Sequence, residues 1–447
     1  MSLFKAYDLR GKVPEDLNED IAYKIGRAYA QRYQPKSVAV GQDIRNESPA
    51  ITTALIKGLN DGNVHVLDIG LCGTEEVYFA TFHHQQDGGI MVTASHNPKG
   101  HNGMKLVAKD ARPISADNGL LEIKELVEQS TFPTPKVIGN TVSTPSKQAY
   151  VEHLLSYINA DQLSPLKIVV NPGNGGAGLA LKELAPHLPF EFVYLNEQPD
   201  GDFPNGVPNP LLVENQLATT EAVKQSGADL GLAWDGDFDR CFFFDQDGRF
   251  IEGYYLVGLL AEMLLAKHPG SNIIHDPRLT WNTQEQTQNA GGNAIQSKCG
   301  HAFIKAVMRE QDAIYGGEMS AHHYFRDFSY CDSGMIPWLL IAELISVSGK
   351  TMKELVDDRM HAYPCSGEIN FRVNDTKAII AHISKVFEPE ALSVETADGI
   401  SMDLGTWRFN LRASNTEPLL RLNVETRGDA ALLERKTTEL KQLIQAE

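Results

Sequence analysis

Along the 447 residues, short apolar runs alternate with stretches in which apolar residues recur every three or four positions. Ser37-Val-Ala-Val-Gly41 is a run of the first kind, and Ile51, Leu55 and Leu59 follow it at helical spacing. Val64 to Ile69 is apolar again, and the spacing before the first strand predicts a helix from about Glu19 to Arg32. Strand, loop, helix, strand is the order of a parallel α/β unit. It recurs twice more. Leu166 to Val170 enters Pro172-Gly-Asn-Gly-Gly-Ala-Gly178, then a helix through Leu184 and a strand from Phe190 to Leu195. Asn272 to His275 enters Asp276-Pro-Arg278, a helical or irregular stretch, and Asn293 to Ser297. No residue-level repeat accompanies the pattern, so it is the architecture that repeats.

The chain ends differently. Glu368 to Val373, Gly405 to Leu411 and Leu419 to Val424 alternate like half-exposed strands, and helices are expected at Lys377 to Val386 and Ala430 to Gln445. That is an α+β block. The Pro/Thr/Ser-rich stretch from Thr131 to Ser146 reads as a linker, and a helix from Gln148 to Ile158 begins the next unit. At about 150 residues per domain the length suits three domains or four small ones. The expected blocks are 1–140, 141–248, 249–360 and 361–447, three α/β and one α+β.

Composition narrows the class. The apolar and charged fractions are those of an ordinary globular protein, with ample material for buried cores. A formal net charge of -18 argues against binding nucleic acid or an anionic membrane, but not against a small anion in a locally basic pocket. Cys72, Cys241, Cys299, Cys331 and Cys365 are scattered, odd in number and without Cys-x-x-Cys spacing, as reduced cytosolic thiols are. The start lacks the apolar core of a signal peptide, and the run Tyr254 to Ala266 is interrupted by Glu262. A soluble cytoplasmic protein is expected, as a monomer or weak dimer.

Four stretches carry chemistry. In Thr93-Ala-Ser95-His96-Asn97-Pro98-Lys99-Gly100-His101-Asn102-Gly103-Met104-Lys105, a buried strand delivers one serine into a loop of cations and amides. Such a hydroxyl suits carrying or transferring phosphate; a plain turn serine is the other reading. The elbow Gly-x-Ser-x-Gly is absent, and nothing in the spacing requires His96 to face Ser95 as a base. Asp235-Gly-Asp237-Phe-Asp239-Arg240 sets three carboxylates at alternate positions, hard ligands for Mg²⁺ or Ca²⁺. An EF-hand fails there, because its sixth residue is Arg240 and its twelfth Gln246. Asp245 to Gly248 reads as a hairpin turn. Gly316-Gly-Glu318-Met-Ser320-Ala-His322-His323 offers groups suited to vicinal sugar hydroxyls, though a solvated loop fits equally. Arg412-Ala-Ser414-Asn415-Thr416-Glu-Pro418 with Arg421 is either a phosphate cradle or a turn beside a paired arginine.

Two further motifs compete. Gly173-x-Gly175-x-x-Gly178 between strand and helix fits a dinucleotide fingerprint, so an NAD(P)-binding oxidoreductase is a rival reading, although neither Glu197 nor Asp200 stands out as the ribose partner. Gly349-Lys350-Thr351 lacks the upstream glycine of a phosphate-binding loop, and Thr351 with Glu354 reads as a capping box.

Taken together, in this order, the four loops resemble those of the α-D-phosphohexomutase superfamily, most closely its bacterial phosphomannomutases, nearly end to end. The resemblance implies four domains around a central cleft, three related α/β units and a C-terminal α+β unit. It implies a phosphorylated Ser95, with Mg²⁺ held by Asp235, Asp237, Asp239 and a phosphoserine oxygen. The phosphoryl group would pass to a hexose monophosphate, giving a bound hexose 1,6-bisphosphate, which also serves as activator. Glu318 and Ser320 would bind equatorial hydroxyls, with His322 and Lys298 beside them, and Arg412, Ser414, Asn415, Thr416 and Arg421 the distal phosphate. Lys105, His96 and His301 are the nominees for acid/base work, with Tyr7, Arg10 and Arg240 orienting phosphates. Arg278 stands where relatives carry a lysine that contacts the sugar, which keeps charge and alters geometry. Glu-Met-Ser at 318–320 favours mannose phosphates feeding GDP-mannose, with phosphoglucomutase or dual specificity as the alternative. A sugar-phosphate-binding protein without activity is the bland reading.

Overall fold

The computed structural model describes residues 2–144, 146–413 and 419–445. The chain forms two compact units, Met1–Phe250 with His322–Gly349, and Ile251–Ala321 with Lys350–Glu447.

In the first unit, a mixed sheet runs in the order Leu9–Lys12, His101–Ala108, Gly88–Val92, Ser37–Gln42, His65–Leu71, Thr141–Ser143. Its middle strands Ser37–Gln42, His65–Leu71 and Gly88–Val92 are parallel, as the strand–helix–strand pattern requires, and His101–Ala108 returns antiparallel. Helix Glu19–Tyr33 starts where Asn18 accepts the Ile21 N–H, has two acids in its first turn, and stops at a left-handed Gln34. In helix Ser48–Asp61 the residues Ile51, Leu55 and Leu59 all lie in the core beside Val38, Val40 and Ile90. A second sheet holds Lys167–Asn171 parallel to both Glu191–Tyr194 and Leu230–Trp234, and Cys241–Phe244 turns back antiparallel. The hairpin His323–Phe325 with Cys331–Asp332 and the helix Ile336–Ser348 complete this unit.

In the second unit, Asn272–His275 pairs in parallel with Asn293–Gln296 and Tyr315–Gly317. The C-terminal sheet is antiparallel throughout, ordered Ile369–Arg372, Leu419–Thr426, Trp407–Ala413, Ile400–Asp403, Ser393–Glu395, with helices Thr376–Phe387 and Ala430–Gln445. Three α/β sheets and one α+β sheet are therefore present.

Two expectations change. The stretch expected to link the first two blocks is partly structured: Thr141–Ser143 adds to the first sheet beside His65–Leu71, and Gly139 N–H donates to Asn60 O. The strands Trp407–Ala413 and Leu419–Thr426 are not half-exposed but almost wholly buried. Their apolar face packs in the core with Ile379 and Leu440. Their polar face is covered too, because Arg408 pairs with Glu425 at 2.8 Å and donates to the carbonyls of Pro277 and Arg278. Paired charges take the place that water occupies on an ordinary amphipathic strand.

Candidate active site

Strand Gly88–Val92 is buried along its whole length and ends in the serine loop. Ser95 sits at its tip with φ +49°, a left-handed conformation that a non-glycine residue adopts only when its surroundings impose it. What imposes it is Arg45. This guanidinium is buried and donates to four carbonyls of the loop: Ser95 at 2.9 Å, Asn97 at 2.6 Å, Pro98 at 3.2 Å and His101 at 3.0 Å. Asp43 lies 3.4 Å from Arg45 and accepts from Ser48 Oγ. The Ser95 N–H donates to Thr93 Oγ1 at 2.9 Å. Arg10 reaches Asp8, the Ala94 carbonyl and Asn97 Oδ1 from the other side.

Strand Leu230–Trp234, also fully buried, ends in the acidic loop. Asp235, Asp237 and Asp239 each bring a carboxylate oxygen within 4.8 Å of the others, and all three are buried. The two loops touch: Ser95 Oγ donates to Asp235 Oδ2 at 2.9 Å, across 140 positions of chain. Gly236 makes this possible, since a Cβ there would stand 2.6 Å from the Ser95 carbonyl oxygen.

Lys105 bridges Asp237 Oδ2 at 2.7 Å and Asp239 Oδ2 at 2.5 Å. Thr74 Oγ1, first residue of helix Thr74–His83, donates to the same Asp237 oxygen at 2.6 Å. Burial alone would push the Lys105 ammonium down, but the attraction of both carboxylates carries it above its ordinary value. Burial would raise Asp237, but Lys105, Thr74 and Arg10 together hold it below the usual carboxylate range. Asp239 is pushed up to about 6 by burial and by the Asp237 charge beside it. Asp237 Oδ1 and Asp239 Oδ1 are buried and take no hydrogen bond among the described residues. Hard oxygen donors left without a hydrogen bond in a ring of three carboxylates fit a small divalent cation.

His96 does face Ser95, which sequence spacing left open. Its Nδ1 lies 3.0 Å from Ser95 Oγ and 2.7 Å from Arg240 Nη2. Arginine only donates, so Nδ1 is an acceptor and the ring proton belongs on Nε2. Burial, then Arg240 and Arg10, hold His96 well below its ordinary pKa, so the ring is neutral. Arg240 also donates to Asp235 Oδ2 through Nε and Nη2, at 3.0 and 2.7 Å. His322 belongs with this group, its Nδ1 3.1 Å from Asp332 and 4.0 Å from Asp239. Those acids raise its pKa against the opposing effect of burial. Tyr7 is half-buried in the bend before Leu9–Lys12.

The second unit gathers the sugar-loop residues. Arg278 Nη2 lies 2.7 Å from Asp276, 3.4 Å from Glu318 and 3.3 Å from Ser320 Oγ. The Gly300 N–H donates to Glu318 Oε1 at 2.9 Å. His301 opens the helix His301–Glu310, and Lys298 lies over the Phe303 ring. Met319 is buried, with Asn423 Nδ2 3.3 Å from its sulfur. Arg412 and Arg421 are cross-strand partners, and both face Glu368. Ser414, Asn415 and Thr416 lie outside the described residues.

The competing motifs have structural roles. In the glycine fingerprint, a Cβ on Gly175 would meet Gly236 O at 2.9 Å and one on Gly178 would meet Glu197 O at 2.2 Å. The approach these glycines allow is filled by the protein's own backbone. Asp245 accepts the N–H groups of Asp247 and Arg249 in a tight turn, and Thr351 and Glu354 form a reciprocal cap.

Arg45, Thr74, Asp332 and Glu368 join these groups without having been singled out by sequence. Asp43-x-Arg45 after a buried strand was the available signal for the first.

Profiles of the phosphoglucomutase/phosphomannomutase domains match the chain in order: alpha/beta/alpha domain I over residues 1–134, domain II over 148–248, domain III over 252–363, and the C-terminal domain over 368–442. The chain belongs to this family. It is similar to the phosphohexose mutases of Xanthomonas campestris, 60% identical over 441 residues that cover 99% of this chain and 98% of the relative. A phosphomannomutase of Salmonella montevideo is 57% identical over 99% of each chain. Among solved structures, a phosphoglucomutase/phosphomannomutase family protein of Burkholderia thailandensis superposes with a TM-score of 0.89 at 31% identity, covering 100% of this chain and 97% of its own. Among the described residues, no helix is long and apolar enough to cross a membrane.

Proposed function

We propose that this mutase interconverts mannose 6-phosphate and mannose 1-phosphate, with Ser95 as the phosphoryl carrier. The observation that carries the reading is the meeting of Ser95 Oγ with Asp235 at 2.9 Å, in a ring of three buried carboxylates in which two oxygens take no hydrogen bond among the described residues. Full-length relatives named phosphomannomutase supply the sugar.

Asp235, Asp237 and Asp239 would hold Mg²⁺ together with an oxygen on Ser95. When bound, the ion offsets charge on the transferring phosphoryl group. In the forward half-reaction the Oγ–P bond of phospho-Ser95 breaks as a sugar hydroxyl forms its own bond to phosphorus. The hydroxyl proton goes to a base, and Ser95 Oγ leaves as an alkoxide that must be neutralised. Lys105, held charged by the loop, is the group that can supply a proton to that alkoxide, while neutral His96, whose unprotonated Nδ1 lies 3.0 Å from Oγ, can act only as a base. The resulting hexose 1,6-bisphosphate turns over and returns its other phosphoryl group to Ser95. Glu318, Ser320 and Arg278 bind the sugar hydroxyls, and Arg412 and Arg421 bind the distal phosphate. Mannose 1-phosphate then supplies GDP-mannose for surface polysaccharide, in the cytoplasm.

The test is a parallel assay of mannose, glucose and glucosamine 1-phosphates with Mg²⁺ and a trace of hexose 1,6-bisphosphate. Turnover that prefers mannose 1-phosphate and vanishes in Ser95→Ala is expected. A glucose preference would keep the chemistry and change the substrate; no turnover on any sugar would sink the reading.

A further inference from the structure

In the C-terminal sheet, Arg412 stands directly opposite Arg421 on the neighbouring strand. Two like charges at cross-strand positions repel unless an anion lies between them. Glu368, just ahead of strand Ile369–Arg372, is that anion. Its Oε2 accepts from Arg412 Nη2 at 3.1 Å and lies 3.5 Å from Arg278 Nη1, while Oε1 lies 3.5 Å from Arg421 Nη1. Arg278 is committed elsewhere as well, to Asp276 and Glu318. Arg412 Nε, by contrast, is buried and finds no acceptor among the described residues. Arg412 thus carries a donor that Glu368 does not use. The nearby cations outweigh burial and keep Glu368 ionised.

We propose that Glu368 is an internal counter-ion that competes with the distal phosphate of the sugar for Arg412 and Arg421, and so limits how tightly that phosphate is held. The inference rests on the reading above, in which these arginines take the phosphate. A mutase that turns a bisphosphate around must release its distal phosphate in every cycle. Grip that is equal in the ground and transition states does not speed the chemical step, and here it also hinders release. Two guanidinium groups closing on a dianion would hold it fast; a fixed carboxylate in the same cluster opposes each phosphate that enters. The competing view is that Glu368 only props the two arginines in position. The two views predict opposite signs for one substitution.

The experiment is Glu368→Gln in the full-length, primed enzyme with mannose 1-phosphate as substrate. The screened repulsion removed corresponds to a KM lowered by about tenfold, with kcat falling as release slows. Dissociation of glucose 1,6-bisphosphate from the same variant should slow in parallel. A KM that rises or stays unchanged overturns the proposal and leaves Glu368 as a prop. Glu368→Ser is run beside it, with melting temperatures for both; loss of fold in both would also overturn the proposal. Arg421→Gln separates the two levels. If it raises KM while Glu368→Gln does not lower it, only the counter-ion idea falls. If Arg421→Gln leaves KM unchanged, the phosphate reading falls and takes the proposal with it.

Discussion

Arg45→Lys is the substitution that most directly probes how Ser95 is presented. Arg45 donates to four loop carbonyls through Nη1 and Nη2, and its fork holds them in a fan. A lysine keeps the charge and has three donors on one nitrogen, so it can satisfy about two of the four. A carbonyl left without a donor costs about 1–3 kcal/mol where it is buried, as at Ser95, and less where water reaches it, as at Pro98. For two carbonyls this amounts to at most roughly 2–6 kcal/mol, shared between unfolding of the chain and relaxation of the left-handed Ser95. The share that falls on the loop appears as turnover: about 2 kcal/mol there lowers kcat roughly 30-fold, with KM for mannose 1-phosphate little changed. The assay pairs steady-state kinetics with a thermal melt and with the rate at which glucose 1,6-bisphosphate loads phosphate onto Ser95. A lower melting temperature with unchanged kcat and loading would show that Arg45 braces the fold alone. Unchanged values of all three would refute the reasoning.

Lys105→Met should lower kcat by about 10²–10⁴-fold with KM kept within a few-fold, and turnover at the parent rate would remove Lys105 from the chemistry. Glu252 gives a pH test of the second unit. Burial and then the charge of Glu368 push its carboxyl up to about 7. The folded protein therefore keeps a proton that the unfolded chain has released, so stability falls as pH rises from about 4.5 through about 7. Glu252→Gln should flatten that slope, by about 2 kcal/mol between pH 5 and 8, as read from denaturant midpoints. An undiminished slope would assign it to other groups.

Much of the site was legible because its chemistry is local. Three aspartates on one turn, and one serine after a buried strand, announce themselves within a few residues. The groups that hold them do not. Arg45 reaches Ser95 across 50 positions, and Thr74 reaches Asp237 across 163. Such contacts are set by sheet order, which no local pattern encodes. His322 was legible as part of its loop, whereas its carboxylate partners Asp239 and Asp332 come from other turns. In the C-terminal strands the alternation itself misled, because Arg408 and Glu425 satisfy each other inside the protein. A polar residue marks a wet face only when water is its cheapest partner.

The short strand Thr141–Ser143 bears on how this chain can be cut. It lies beyond residue 134, where the first domain profile stops, yet it is the partner of His65–Leu71 at the end of the first sheet. A fragment ending at 134 would leave His65–Leu71 with a row of open backbone donors and acceptors, a template for another chain to pair with. Extending the fragment to residue 144 restores the cover, since Thr144 N–H closes on Asp68 O. The longer fragment should stay monomeric in concentrated solution where the shorter one associates, and light scattering on the two would tell them apart.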